Sequence, residues 1–236
     1  MKISEFKKKT TAIILCGGRG ERLKPLTNKI PKPLIKVGGK EILSYIINHL
    51  FRYNINDCLI LTGYKKNLVK KFLENNFKSK TKYQYTGEKS DIIERINKSL
   101  PNSKKYLMIC YGDTLLDINI NKLIKFHMSN NKLATMSVFN SKFDFGVVKF
   151  NNNGLIKSFS EKPDLNLWIN VGYFIFEKEK FKKLFKRFNS FEKFLFNLCK
   201  IRKFQAFKHM GRHITINTIL ELENAKKQIN KLKKNI

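Results

Sequence analysis

The sequence predicts an α/β protein with a doubly wound, mostly parallel sheet and a small mixed-sheet extension. Three observations carry that expectation. Short apolar runs stand at 12–16, 58–61 and 106–111, the first rich in β-branched residues, each followed within two residues by a glycine. Such runs are the mark of strands buried on both faces. Stretches with apolar residues at helical spacing separate them, and the alternation repeats without an internal repeat or a long linker. That order puts ligands at the carboxyl ends of the strands.

Taken in order, residues 1–10 read as a basic N-terminal extension, and 11–236 as one domain. Within it, 11–131 forms a nucleotide-binding part, 132–218 a part for a second substrate, and 219–235 a C-terminal helix. The run 12–16 is the first strand. A short strand at 34–37 is turned by Gly38-Gly39, and residues 42, 43, 46, 47, 50 and 51 make the apolar stripe of a helix over 41–53. The second strand, 58–61, leads to a helix over 67–77 with Leu68, Val69, Phe72 and Leu73 inward. Residues 81–85 alternate as a third strand. Asp91 caps a helix that Pro101 stops. The fourth strand is 106–111, and a helix follows over 120–130.

The second half reads as a strand at 134–139, a hairpin of 147–150 with 156–160 around Asn152-Asn153-Gly154, and a long strand at 168–176. Helices over 181–188 and 191–200 carry phenylalanines at helical spacing, which places them in a core. A last strand occupies 203–207.

Composition bounds the function. The formal net charge is +30, which raises the question of a nucleic-acid or membrane partner. The charge is nearly all lysine, spread over the whole length, and no recognition helix, zinc finger or RNP-type motif accompanies it. It reads as a solvated surface, with no specific nucleic acid as partner. No run approaches the roughly 20 apolar residues that span a bilayer, and no signal-peptide core follows the charged N-terminus. Cys16, Cys58, Cys110 and Cys199 are widely spaced without a C-x-x-C pair. That spacing argues against a zinc site or disulfide framework and fits a cytoplasmic setting.

Candidate chemistry begins with Gly17-Gly18-Arg19-Gly20 behind the first strand. Glycines bring backbone N–H groups close to a ligand, and N–H groups aimed one way bind phosphate oxygens. A plain turn is the alternative. Arg22 and Lys24 supply positive charge, and Pro31-Lys32-Pro33 presents Lys32 from a stiff segment. The loop is neither a Walker loop nor G-x-G-x-x-G. Gly112-Asp113 follows the fourth strand, where a carboxylate can hold Mg²⁺ or merely close a turn; Asp117 is a weaker candidate. In Ser160-Glu161-Lys162-Pro163, Glu161 can accept from sugar hydroxyls and Lys162 can bind phosphate. Asn170 can bond a ligand. Asn217 precedes the last helix, either completing a metal site through its amide oxygen or capping that helix.

GGRGER, PKP, GYK at 63–65, YGD, EKP, INVGYF and GRHITINT occur in this order over nearly the whole chain. Together they resemble the sugar-phosphate nucleotidyltransferases, the nucleotide-sugar pyrophosphorylases, and most of all the glucose-1-phosphate cytidylyltransferases. Likeness to that branch lies in YGDTLLDI, Phe126-His127, TGEKSDIIERI and INVGYF. The resemblance implies a Rossmann-like nucleotidyltransferase fold and a Mg²⁺-dependent reaction of an NTP, CTP favoured, with a sugar 1-phosphate. The products would be an NDP-sugar for cell-surface glycan precursors and pyrophosphate.

It implies Arg22, Lys32, Asp113 and Lys162 as catalytic. Leu15, Gly17, Gly18, Arg19, Gly20, Thr86, Gly87 and Gly112 would bind the nucleotide. Glu161, Lys162, Asn170 and Gly172 would bind the sugar phosphate, and Asp113 with Asn217 the metal. Asn217 stands where the family has Asp, and the segment that reads the base is short. GTP, UTP or dTTP, or a non-sugar phosphate, therefore stay open as substrates, as does the oligomeric state, a homo-oligomer included. A nicotinamide dehydrogenase is disfavoured because Thr62-Gly63-Tyr64-Lys65 lacks the acidic ribose ligand.

Overall fold

The computed structural model describes residues 1–130 and 132–233. Residue 131, at the border between the two expected parts, and residues 234 and 235, assigned to the closing helix, lie outside the described residues. In chain order the elements begin with α1 (Ile3–Lys8), β1 (Thr10–Cys16), a one-turn α2 (Leu26–Lys29), β2 (Lys36–Val37), β3 (Lys40–Glu41), α3 (Ile42–Arg52) and β4 (Cys58–Thr62). They continue with α4 (Lys66–Asn76), β5 (Thr81–Tyr85), α5 (Ile92–Ser99), β6 (Tyr106–Tyr111), β7 (Thr114–Leu116), α6 (Ile120–Ser129) and β8 (Ala134–Ser141). Then come β9 (Val147–Phe150), β10 (Ile156–Ser160), β11 (Leu167–Glu177), α7 (Lys178–Phe185), α8 (Phe191–Lys200), β12 (Phe204–His209), β13 (His213–Thr215) and α9 (Ile219–Lys233).

One sheet runs in the order β12–β8–β11–β6–β1–β4–β5. β6, β1, β4 and β5 are parallel, and so are β8 and β12. Only β11 is antiparallel to its neighbours β6 and β8, and it welds the two halves into one sheet. This is the mostly parallel α/β sheet that the alternating runs predict.

β1 explains why those runs are apolar throughout. Its Ala12, Ile14 and Cys16 enter one core, while Ile13 enters the other. The first core receives Phe6 of α1, Ile46 and Leu50 of α3, Val69 and Leu73 of α4, Leu123 of α6 and Ile229 of α9. The second receives Ile93 and Ile96 of α5 and a phenylalanine cluster from β11, α7 and α8. In that cluster Phe176 meets Phe181 edge-on at 4.8 Å, and Phe185 meets Phe194 at 4.9 Å, geometries that suit the ring quadrupole.

Local expectations need four adjustments. The strand expected at 34–37 shortens to Lys36–Val37, because the 3-10 turn Lys32–Leu34, set by the fixed φ of its prolines, takes the first of those residues. α7 starts and stops three residues before its expected bounds. Leu68 is exposed, so the inward face of α4 rests on Val69 and Leu73. Residues 3–8 are a helix whose Phe6 is 1% exposed and stacks on Tyr106 with ring centroids 4.0 Å apart. Lysines around Phe6 hide this single anchor in the sequence. No helix among the described residues is long and apolar enough to cross a membrane.

Phe6→Ala should lower the unfolding free energy by about 3–5 kcal/mol, the range for emptying a packed aromatic site. Urea unfolding followed by circular dichroism measures it. A loss below about 1 kcal/mol, the scale of an ordinary surface change, would mean that α1 is not anchored through this ring.

Candidate active site

Segments following β1, β5 and β6 border a cavity of about 390 Å³ at the carboxyl end of the sheet. The parallel arrangement forces this meeting: β1 pairs with β4 on one side and β6 on the other, so Gly17 and Gly112 emerge side by side. The Gly112 N–H donates to the Leu15 carbonyl at 3.2 Å.

The centre of the site is a three-residue knot. Lys32 Nζ donates to Asp113 Oδ2 at 2.6 Å and to Asn217 Oδ1 at 2.8 Å. The three come from points 81 and 185 residues apart along the chain. The proline-flanked turn places Lys32, whose side chain is only 13% exposed. Asp113 follows β6 directly. Asn217 arrives because β13 pairs antiparallel with β7, and the Ile216 N–H donates to the Asp113 carbonyl at 3.2 Å.

Helix capping is done by the next residue. Thr218 Oγ1 accepts from the Glu221 N–H, and the Glu221 carboxylate accepts from the N–H groups of Thr218 and Asn217. This is a capping box, legible in Thr218-Ile219-Leu220-Glu221. It leaves the Asn217 side chain to Lys32 and to Thr215 Oγ1.

Arg95 holds the glycine loop, and the sequence reading missed it. It is 5% exposed on α5. Its Nη2 donates to the Gly17 carbonyl at 3.1 Å and the Glu88 carbonyl at 3.4 Å; its Nη1 donates to Thr86 Oγ1 at 2.7 Å and the Thr62 carbonyl at 3.4 Å. One guanidinium thus ties the segments after β1, β4 and β5. A Cβ at Gly17 would lie 1.9 Å from Arg95 Nη1, so the close approach requires glycine there. The available signal was an arginine on the apolar side of a helix whose N-cap, Asp91, was legible and does accept from the Glu94 N–H at 2.8 Å.

Of the expected site residues, Leu15, Gly17, Gly18, Gly20, Arg22, Lys32, Gly112, Asp113 and Asn217 border the cavity. Others stand apart from its lining. Arg19 pairs with Glu88 at 3.3 Å and lies over the Tyr64 ring. Thr86 is buried, its hydroxyl donating to the Thr62 carbonyl at 2.9 Å, and Gly87 follows with φ 109°. Glu88, Ser90 and Asp91 border the cavity where Thr86 and Gly87 were expected to. Glu161 and Lys162 are exposed beyond β10. The Asn170 side chain accepts from the Gly172 N–H at 2.8 Å. Gly172, at φ 77°, lies against the Tyr111 ring, where a Cβ would come within 2.5 Å. Asp117 accepts from the Arg212 N–H at 2.6 Å.

Titration narrows the chemistry. Cys16 borders the cavity, but burial and nearby Asp113 push its thiol far above its ordinary value, so no thiolate forms. Among the described residues no histidine borders the cavity. Burial holds His49, His127 and His213 down at about 4, neutral near pH 7. Fixed cations, backbone N–H groups and the carboxylates of Glu88, Asp91 and Asp113 remain, a set suited to placing polyanions together with a cation.

Residues 11–208 match the family model described as nucleotidyl transferase. A Bacillus subtilis (strain 168) protein named as a probable glucose-1-phosphate cytidylyltransferase is 32% identical, over 93% of this chain and 96% of its own. The D-glycero-alpha-D-manno-heptose 1-phosphate guanylyltransferase of Campylobacter jejuni is also 32% identical, over 78% of this chain and 84% of its own. A crystal structure of a Bacillus anthracis protein assigned to the glucose-1-phosphate thymidylyltransferases shares the fold. Its TM-score is 0.74 at 20% identity, over 92% of this chain and 94% of its own. With the family match spanning most of the sheet and the glycine loop, Lys32 and Asp113 all inside it, the chain belongs to the nucleotidyl transferase family, among the sugar-phosphate nucleotidyltransferases.

Proposed function

We propose that this enzyme joins CTP and a sugar 1-phosphate to give a CDP-sugar and pyrophosphate. The observation that carries the reading is the convergence of Lys32, Asp113 and Asn217 beside the glycine loop. The sugar-bound phosphate oxygen attacks the α-phosphorus of the nucleotide. A new P–O bond forms, the bond from the α-phosphorus to the bridging oxygen breaks, and pyrophosphate leaves in line. The protein has little covalent work; it must position two polyanions and neutralise charge as it moves.

In this reading the backbone of Gly17, Gly18 and Gly20, with Arg22, holds the leaving phosphates. Leu15, Arg19, Thr86, Gly87 and Gly112 frame the nucleotide, and Arg95 fixes the loops that do so. Lys32 turns from Asp113 to steady the α-phosphate. Glu161, Lys162, Asn170 and Gly172 serve the sugar phosphate. The cavity lining supports the phosphate half directly. The sugar half rests on the resemblance of the EKP and INVGYF segments. CTP is favoured by the Bacillus relative's name, while the Campylobacter relative's name keeps GTP as the second reading.

Mg²⁺ is proposed as the cofactor, and the donor set fits it. A carboxylate and an amide oxygen already converge on one cation, the Lys32 ammonium. Both are hard oxygen donors of the kind Mg²⁺ takes, the rest of its shell coming from phosphates and water. When bound, the dication neutralises charge between Asp113 and the phosphates.

Two experiments follow. Pyrophosphate release with each of the four NTPs and a panel of sugar 1-phosphates should give the highest kcat/KM with CTP. A higher value with GTP, UTP or dTTP would discard the CTP assignment, and no release with any pair would discard the reaction. Asp113→Ala should lower turnover at least about 100-fold, the scale of losing a transition-state charge partner. Asn217→Ala should raise the Mg²⁺ needed for half-maximal rate, and Asn217→Asp should lower it or leave it unchanged. Parental activity in Asp113→Ala, or turnover in excess EDTA, would contradict the metal assignment.

A further inference from the structure

Three polar side chains of the segment between β5 and α5 border the cavity: Glu88, Ser90 and Asp91. Two of them have tasks inside the protein. Ser90 Oγ donates to the Thr86 carbonyl at 2.6 Å and accepts from Lys98 Nζ at 3.2 Å, and Asp91 caps α5. Thr86, where the resemblance places nucleotide recognition, is likewise committed. Its N–H and its hydroxyl both donate to the Thr62 carbonyl at 2.9 Å, and its own carbonyl also accepts from Lys98 Nζ at 2.8 Å. The Glu88 side chain differs. It is 44% exposed and holds only Arg19, through Oε2 at 3.3 Å; its Oε1 has no partner among the described residues.

A carboxylate on a polyphosphate cavity is repelled by the substrate unless some part of that substrate donates to it. Sheet order separates Glu88 from the proposed phosphate end. β6 and β4 flank β1, and β5 lies beyond β4, so Asp113 and Glu88 stand on opposite sides of the glycine loop. With the phosphates at Lys32, Asp113 and the loop, the base falls on the Glu88 side. Leu15 and Ile92 border the cavity and give a ring an apolar wall. Cytosine presents an exocyclic amino donor at C4, where uracil and thymine present the O4 acceptor. An ionised carboxylate only accepts. It bonds the cytosine amine, and it sets acceptor against acceptor when the base is uracil or thymine, leaving both without a donor. Resting on the CTP reading above, we propose that the Glu88 carboxylate accepts from the cytosine 4-amino group and so sets CTP above UTP and dTTP.

Calorimetric binding of CTP and UTP, with Mg²⁺ and without sugar phosphate, tests this apart from turnover. The parent should bind CTP at least about tenfold more tightly than UTP, within the range of one base contact. Glu88→Gln should bring the two within about threefold, chiefly by tightening UTP, because an amide both donates and accepts. Arg19→Gln removes the ion pair, keeps the carboxylate and should keep the parental ratio. A parent without preference for CTP would overturn the assignment. So would a ratio that survives in Glu88→Gln, or one that Arg19→Gln abolishes as fully. Should Glu88→Gln lose the parental circular dichroism, the parent alone decides, with a CTP analogue that carries hydrogen in place of the 4-amino group. Binding at least about tenfold weaker than CTP supports the contact, and equal binding rejects it. Pyrophosphate release separates this inference from the reaction it rests on. A ratio that shifts as expected in a protein releasing no pyrophosphate keeps Glu88 as the base reader and discards the reaction. CTP-dependent release with an unchanged ratio in Glu88→Gln keeps the reaction and discards the role of Glu88.

Discussion

Lys32, Asp113 and Asn217 meet at one point, and the rest of the site is arranged around that meeting. A half-buried carboxylate beside incoming phosphates would repel them. Its pairing with an ammonium at 2.6 Å removes that obstacle before any substrate arrives. The amide oxygen of Asn217 completes a small cation cradle without adding a second negative charge. Each partner is positioned by rigid backbone: a proline-flanked turn, the end of a central strand, and the foot of a capped helix. Such support limits the entropy lost in bringing together residues so distant in the chain.

Arg95 performs a similar service for the loops. Gly17, Thr62, Thr86 and Glu88 all offer oxygens to it, so three strand ends move as one body. Its hydrogen bonds to four oxygens offset the cost of desolvating a cation, since a buried charge without partners would be strongly unfavourable. The proposed phosphate loop is thus held from behind through the Gly17 carbonyl. Gly17 must stay glycine for the same contact.

Much of this was legible in the sequence. Apolar runs bounded by glycines identify β1, β4 and β6, because strands packed on both faces must be apolar throughout. Gly17 and Asp113 could be picked out because each stands at or just past a strand end, and Lys32 because prolines flank it. Long-range pairing was hidden. The two three-residue strands β7 and β13 carry too few residues to show a period, yet they decide where Asn217 points. Arg95 reads as an ordinary helix residue until the fold turns it against Gly17. Phe6 was masked by neighbouring lysines.

In the proposed mechanism one cation always occupies the space between the Asp113 and Asn217 oxygens, the Lys32 ammonium when Mg²⁺ is not there. The two then compete for the same place. Calorimetric titration of Mg²⁺ into the substrate-free parent and into Lys32→Met tests this most directly, because it reads binding without turnover. Relieved of the competing ammonium, the variant should bind Mg²⁺ at least about tenfold more tightly, a shift of about 1.4 kcal/mol. Equal or weaker binding by Lys32→Met would contradict it.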